Sequence, residues 1–164
     1  MPAAPTEDKA RQYAYRILAA RPLSEKEFRA RLRGKGYGGD VVEAVTAQFQ
    51  ELGYLNDESV ARQLARTCAV NKLWGNRRIE ITLKEKGLAR ELIDSAIALV
   101  REEFTERAAV RQLLGKKSRG QKTAVADRLE KRRLLNSLMG KGFPPGLIFE
   151  MLAINEEEEL HDGE

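Results

Sequence analysis

Three hexapeptides constrain the fold of this chain more than any other feature: Leu32-Arg33-Gly34-Lys35-Gly36-Tyr37, Leu83-Lys84-Glu85-Lys86-Gly87-Leu88 and Leu138-Met139-Gly140-Lys141-Gly142-Phe143. They recur after 51 and then 55 residues, and self-similarity at such periods marks a chain assembled from copies of one supersecondary unit. A Leu lies four places before the glycine of each Lys-Gly pair and Phe28, Ile79 or Leu134 eight before, which is the i, i+4 stripe of an amphipathic helix. Five and six places after it come Val41-Val42, Leu92-Ile93 and Leu147-Ile148, then Val45, Ala96 and Met151 at nine. A helix ending in Lys-Gly sets the cation near the negative end of its dipole, and glycine takes the left-handed C′ conformation without a Cβ penalty. The next apolar residue, Tyr37, Leu88 or Phe143, can then fold back on the last turn.

Each copy also has a readable beginning. Ser24-Glu25-Lys26-Glu27 fits a capping box, and Pro22 closes a helix carrying Tyr13, Ile17 and Leu18. The counterparts of that earlier helix hold Val60, Ala61 and Leu64, then Val110, Leu113 and Leu114, so each unit is three helices. The spacing predicts helices over 7–20, 25–35 and 41–52; 57–70, 76–86 and 90–100; 105–115, 124–140 and 146–153. Asp40 is expected to cap the third helix, Asn56 the fourth, and Pro144-Pro145 to open the ninth. Gly53-Tyr54-Leu55-Asn56 breaks the chain between the first two copies. Neither Gly nor Pro occurs between Arg90 and Leu114, which allows the sixth and seventh helices to be continuous and rigid. The expected fold is all-α, three tandem three-helix repeats in an elongated, curved array. Its divisions are an N-terminal extension (1–9), repeats at 10–55, 56–101 and 102–154, and a disordered acidic tail (155–164).

Charge and residue types narrow the chemistry. The tail holds Glu156, Glu157, Glu158, Glu159, Asp162 and Glu164, so of a net +4 the remaining chain carries +10. Such a body favours a polyanion or an acidic protein surface. Cys68 and His161 are each alone, which excludes disulfides, zinc clusters and Cys/His or Ser/His/Asp nucleophile systems within one chain. No apolar run reaches the roughly 20 residues of a membrane span, and Met1-Pro2-Ala3-Ala4-Pro5 does not open a secretory signal. A cytoplasmic, non-enzymatic monomer without a cofactor or metal is expected.

The basic residues of the middle helices form the informative constellation: Arg29, Arg33 and Lys35; Arg77, Arg78, Lys84 and Lys86; Arg132, Arg133 and Lys141. Like charges at helical spacing repel, so their recurrence in one element points to a partner or DNA surface rather than to folding. The bland alternative is that many of them simply solvate their helices. Gly115 to Thr123, with Lys116, Lys117, Arg119 and Lys122, reads as a mobile basic loop. Its Gly115-Lys116-Lys117-Ser118 lacks the earlier glycine and preceding strand of a phosphate loop. Trp74 reads chiefly as a packing residue at an inter-helix turn and otherwise as a contact anchor. Leu32, Gly36, Tyr37, Gly53, Tyr54, Leu83, Gly87, Leu138 and Gly142 read as architecture.

Ala19-Ala20-Arg21-Pro22-Leu23-Ser24-Glu25-Lys26-Glu27-Phe28 leading to Leu32-x-x-Lys35-Gly36-Tyr37, together with Gly53-Tyr54-Leu55-Asn56-Asp57-Glu58 and Arg77-Arg78-Ile79 leading to Leu83-x-x-Lys86-Gly87, resembles the RecX family of regulatory proteins. The resemblance covers roughly residues 10–153. It departs at Asn56-Asp57, where the family usually has paired Asp, and at Gly75-Asn76, where Gly-Pro is common. It implies a cytoplasmic regulator that binds the RecA recombinase filament on DNA and generally inhibits its ATPase, coprotease and strand-exchange activities, in DNA repair, recombination and the SOS response. It implies no catalytic residue. The alternative is an architectural DNA-binding protein acting through its basic helices without a recombinase partner.

Overall fold

The computed structural model describes residues 5–115 and 124–163, the side chains at 5 and 124–126 apart. The basic residues Lys116, Lys117, Arg119 and Lys122 lie outside the described residues. The first unit comprises α1 (Pro5–Ala20), α2 (Glu25–Gly34) and α3 (Gly39–Glu51). The second has α4 (Asp57–Arg66), a π-helical turn Thr67–Asn71, α5 (Asn76–Glu85) and α6 (Arg90–Glu103). The third has α7 (Glu106–Gly115), α8 (Ala124–Gly140) and α9 (Pro145–His161). Three tandem three-helix units therefore follow one another, with no strand among the described residues. None of these helices is long and apolar enough to cross a membrane.

The Lys-Gly motif stops its helix by one mechanism three times. Gly36, Gly87 and Gly142 have φ of 99°, 77° and 91°. In each motif the residue after the glycine donates its N–H to the carbonyl of the motif leucine: Tyr37 to Leu32 (3.2 Å), Leu88 to Leu83 (3.3 Å) and Phe143 to Leu138 (3.3 Å). The glycine N–H bonds three residues back, to Arg33, Lys84 or Met139. These paired bonds satisfy carbonyls that a helix end leaves open. Leu32, Leu83 and Leu138 are buried to 1% exposure or less, so the motif is both a stop and a core contact.

Each unit has its own apolar cluster. Phe28, Leu32, Val42, Val45 and Phe49 centre the first, Ile79, Leu83, Ile93 and Ile97 the second, and Val110, Leu138, Ile148 and Met151 the third. The accessible surface is 10921 Å², whereas a compact chain of 18.5 kDa would show roughly 8,200 Å². Division of the apolar residues into three small cores contributes to the excess. Leu73 crosses the boundary: it follows the π-helical turn, has φ 55°, and is buried in the third cluster although its chain neighbours belong to the second unit. A left-handed leucine costs roughly 1–2 kcal/mol, which its burial in the third core offsets.

The capping box at Ser24 forms as expected, as do the Asn56 cap (Ser59 N–H to Oδ1, 3.1 Å) and the Pro144-Pro145 opening of α9. Three expectations need correction. Asp40 does not cap α3: the helix begins one residue earlier, with Gly38 as N-cap, and Asp40 lies in its first turn facing the positive dipole end. The sixth and seventh helices are not continuous, because Phe104 turns extended (φ −143°, ψ 100°) and Thr105 accepts a hydrogen bond from Ala108 N–H at 3.1 Å. The region after Ile154 is helical to His161 rather than disordered, with Asn155 bonded to Glu159 one turn on and Glu156 paired with Lys131 of α8.

Candidate partner and nucleic-acid interface

Two junctions join the units, and they are built alike. At the first, the start of α2 meets the end of α5: Ser24 Oγ donates to the Lys86 carbonyl (2.5 Å) and Lys86 Nζ pairs with Glu27 (2.7 Å). The Glu25 N–H donates to Asp57 Oδ1 (2.9 Å) at the first position of α4. At the second, the start of α5 meets the end of α8, where Gly75 N–H donates to the Lys141 carbonyl (2.8 Å). The Asn76 N–H donates to Glu106 Oε1 (2.8 Å), at the first position of α7. In both, the positive start of one middle helix faces the negative end of the next, and a carboxylate from the following unit satisfies an open N–H. Asp57 and Asn76 therefore act as junction contacts.

Close approach leaves no room at these junctions. A Cβ on Gly87 would strike the Lys26 side chain, and one on Gly142 the backbone of Arg78. Burial would push the Glu27 carboxyl up, but hydrogen bonds from Arg21, Lys86 and the Ser24 N–H outweigh it and hold its pKa below the ordinary glutamate value. Burial raises Asp57. Arg101 is drawn inward, donating to the carbonyls of Trp74 (2.8 Å) and Phe104 (3.1 Å) and to Asn76 Oδ1 (2.7 Å), and its burial lowers its pKa.

The predicted basic residues divide into three groups. Arg29 pairs with Glu25 (2.5 Å) and Glu43 (3.2 Å), Arg33 with Glu43 (3.5 Å) and Lys86 with Glu27, so these three are tied into the fold. Lys35 stands over the Tyr13 ring at 5.6 Å and Arg78 over Trp74 at 3.9 Å. Arg77, Lys84, Arg132 and Arg133 are exposed, Lys141 is half-buried, and among the described residues none of the five has a carboxylate partner. They are spread over the second and third units. Sequence reasoning missed Lys72, which also stands over Trp74, at 4.5 Å. Two cations beside one half-buried indole make a charged corner close to the second junction. A signal existed in Lys72-x-Trp74, but only the fold of the intervening turn brings Arg78 to the same ring.

The aromatic side chains gather elsewhere. Tyr13, Tyr15, Tyr37 and Tyr54 all belong to the first unit, where Tyr15 packs on Phe49 (4.7 Å) and edge-on against Tyr54 (5.4 Å). Tyr15 and Tyr54 remain 45% and 53% exposed, so Tyr54 serves the surface as much as the architecture assigned to it. The described residues contain no group of His, Cys, Asp and Glu that could hold a metal. Cys68 is buried, and burial raises its thiol pKa.

Family models for the first, second and third three-helix domains of RecX match residues 10–49, 56–97 and 105–152. The chain is 30% identical over 159 residues to the regulatory protein RecX of Mycolicibacterium vanbaalenii, covering 92% of this chain and 86% of that one. To its counterpart in Geobacillus thermodenitrificans it is 33% identical over 155 residues, covering 92% and 57%. Among solved structures, RecX from Lactobacillus salivarius superposes with a TM-score of 0.73 at 20% identity, over 92% of this chain and 97% of that one.

Proposed function

Because the chain belongs to the RecX family of regulatory proteins, we propose that it binds the RecA recombinase filament on DNA and restrains its ATPase, coprotease and strand-exchange activities without catalysing a reaction. One observation carries this reading most: the two junctions set three units in series, with Arg77, Lys84, Arg132, Arg133 and Lys141 along the second and third, cations that have no carboxylate partner among the described residues. A series of weak sites suits a helical polymer that repeats its own surface, since linked contacts gain affinity through effective concentration. The free cations meet DNA phosphates or acidic recombinase side chains, and the complex is salt-sensitive. The cytoplasm is where such a filament is met.

The test is recombinase ATPase turnover on single-stranded DNA as the protein is titrated in, alongside binding to assembled filaments. The expected result is a falling rate with saturation of the filament. An unchanged rate with no filament binding overturns the proposal.

The corner formed by Lys72, Trp74 and Arg78 favours a second reading, an architectural DNA binder that acts without a recombinase, since two cations held over one indole offer a fixed contact for phosphates. Binding to naked DNA as tight as binding to filaments would support that reading over the first.

A further inference from the structure

The junction device occurs three times in the chain but is engaged only twice. Lys86-Gly87 ends α5 and receives the start of α2; Lys141-Gly142 ends α8 and receives the start of α5. Lys35-Gly36 ends α2 with the same left-handed turn and the same hydrogen bonds, yet receives no helix start among the described residues. Its two residues are exposed, whereas Lys86, Gly87 and Lys141 are half-buried and Gly142 is buried.

The surroundings of the vacant end are bare backbone. Gly34, Gly38 and Gly39 flank it at positions held by Glu85, Ala89 and Arg90 in the second unit and by Gly140, Pro144 and Pro145 in the third. None of the three has a left-handed φ, so no turn requires them to be glycine, and a Cβ on any would meet nothing within 4 Å. A glycine at a helix end costs backbone entropy. Within this chain its use is clear at Gly87 and Gly142, where a neighbouring unit comes too close for a Cβ.

We infer that the Lys35-Gly36 end of α2 is a third docking end, taken by the start of a helix on a recombinase subunit of the filament. The inference rests on the filament reading above and names the surface that meets protein rather than DNA. A helix C-terminus presents carbonyl oxygens and the negative dipole end, which repel phosphate and attract the N–H groups of a helix start. Lys35 beside it suits a first-turn carboxylate, as Lys86 suits Glu27. A second copy of this chain is a poor occupant. The middle helix whose start takes no part in the two junctions is α8, which has 17 residues where α2 and α5 have 10. The extra length sets that start about 10 Å further from its own core.

The full-length chain and its Gly34→Gln/Gly39→Gln variant are compared by fluorescence anisotropy on recombinase filaments and on the same DNA without recombinase. Circular dichroism melting and sedimentation equilibrium accompany both. The expected result is filament binding at least tenfold weaker, with naked-DNA affinity and sedimentation unchanged and the melting temperature equal to or above that of the parent. If the double variant melts early, Gly34→Gln alone carries the comparison. Filament binding by the variant within twofold of the parent overturns the docking end while leaving the filament reading standing. Equal loss on naked DNA, or self-association of the parent chain that the variant loses, overturns it in favour of DNA or a second copy. A parent chain that binds no filament overturns both.

Discussion

At Gly142 the methyl of an alanine would lie 2.5 Å from the backbone nitrogen of Arg78, whereas at Gly36 it would meet nothing, although both residues are left-handed. Gly36→Ala should therefore cost only the backbone strain, roughly 1–2 kcal/mol. Gly142→Ala should cost more, on the order of 3 kcal/mol, because the second junction must open as well. Urea unfolding of the two variants checks the difference; equal losses would mean that the junction contributes nothing. Glu27 makes a second test. Its folded pKa lies below the unfolded value, so its contribution is fully present above the unfolded pKa, about 4.3, and is lost as pH falls through the folded value. Glu27→Gln should cost about 1 kcal/mol at pH 7, Lys86 being a third exposed. The gap to the parent should narrow below pH 4.3; urea midpoints across that range read it, and a constant gap would show that charge is not the cause. The glycines were legible because helix termination is local chemistry. The crowding that separates Gly142 from Gly36 was not, since Arg78 lies far away in sequence.

Among the elements, the break between α6 and α7 is the instructive one. Nothing in the residues from Arg90 to Leu114 forbids one helix, and their propensities favour it. The break follows from Arg101, which takes the Phe104 carbonyl while reaching Trp74 and Asn76, elements distant in sequence. Thr105 then caps the new helix. Thr105→Ala should cost about 1 kcal/mol without changing the far-UV helical signal by more than a turn; a variant with more helix and equal stability would mean that the two helices are ready to fuse. The π-helical turn belongs to the same class. Thr67–Asn71 read as ordinary helix, and only the seating of Leu73 in the third core asks for its wider winding. The capping box, the Asn56 cap and Pro144-Pro145 needed no such information, because each acts within a turn of its own position.

For the whole molecule, the basic surface is smaller than a count of Lys and Arg suggests. Arg29, Arg33 and Lys86 serve ion pairs, and Arg78 packs on Trp74 against the second junction. Reversal of Arg78 or Lys86 therefore mixes binding with folding, while Arg77 and Lys84 are exposed and have no carboxylate partner among the described residues. Arg77→Glu with Lys84→Glu should leave melting unchanged and reduce the salt slope of DNA binding by roughly 1.5 to 2 if both meet phosphate. An unaltered slope at unaltered stability would remove them from the interface. Such contacts escaped the sequence because the neutralising carboxylates, Glu43 for Arg33 and Glu27 for Lys86, come from other helices. The residues themselves determined the all-α class, the threefold repeat and most of the helix ends, because periodicity, capping and left-handed glycine act over a few residues. The tertiary structure alone decided how the units meet, which cations stay free and which of three identical helix ends is left open, because each depends on groups that come together only when the chain is folded.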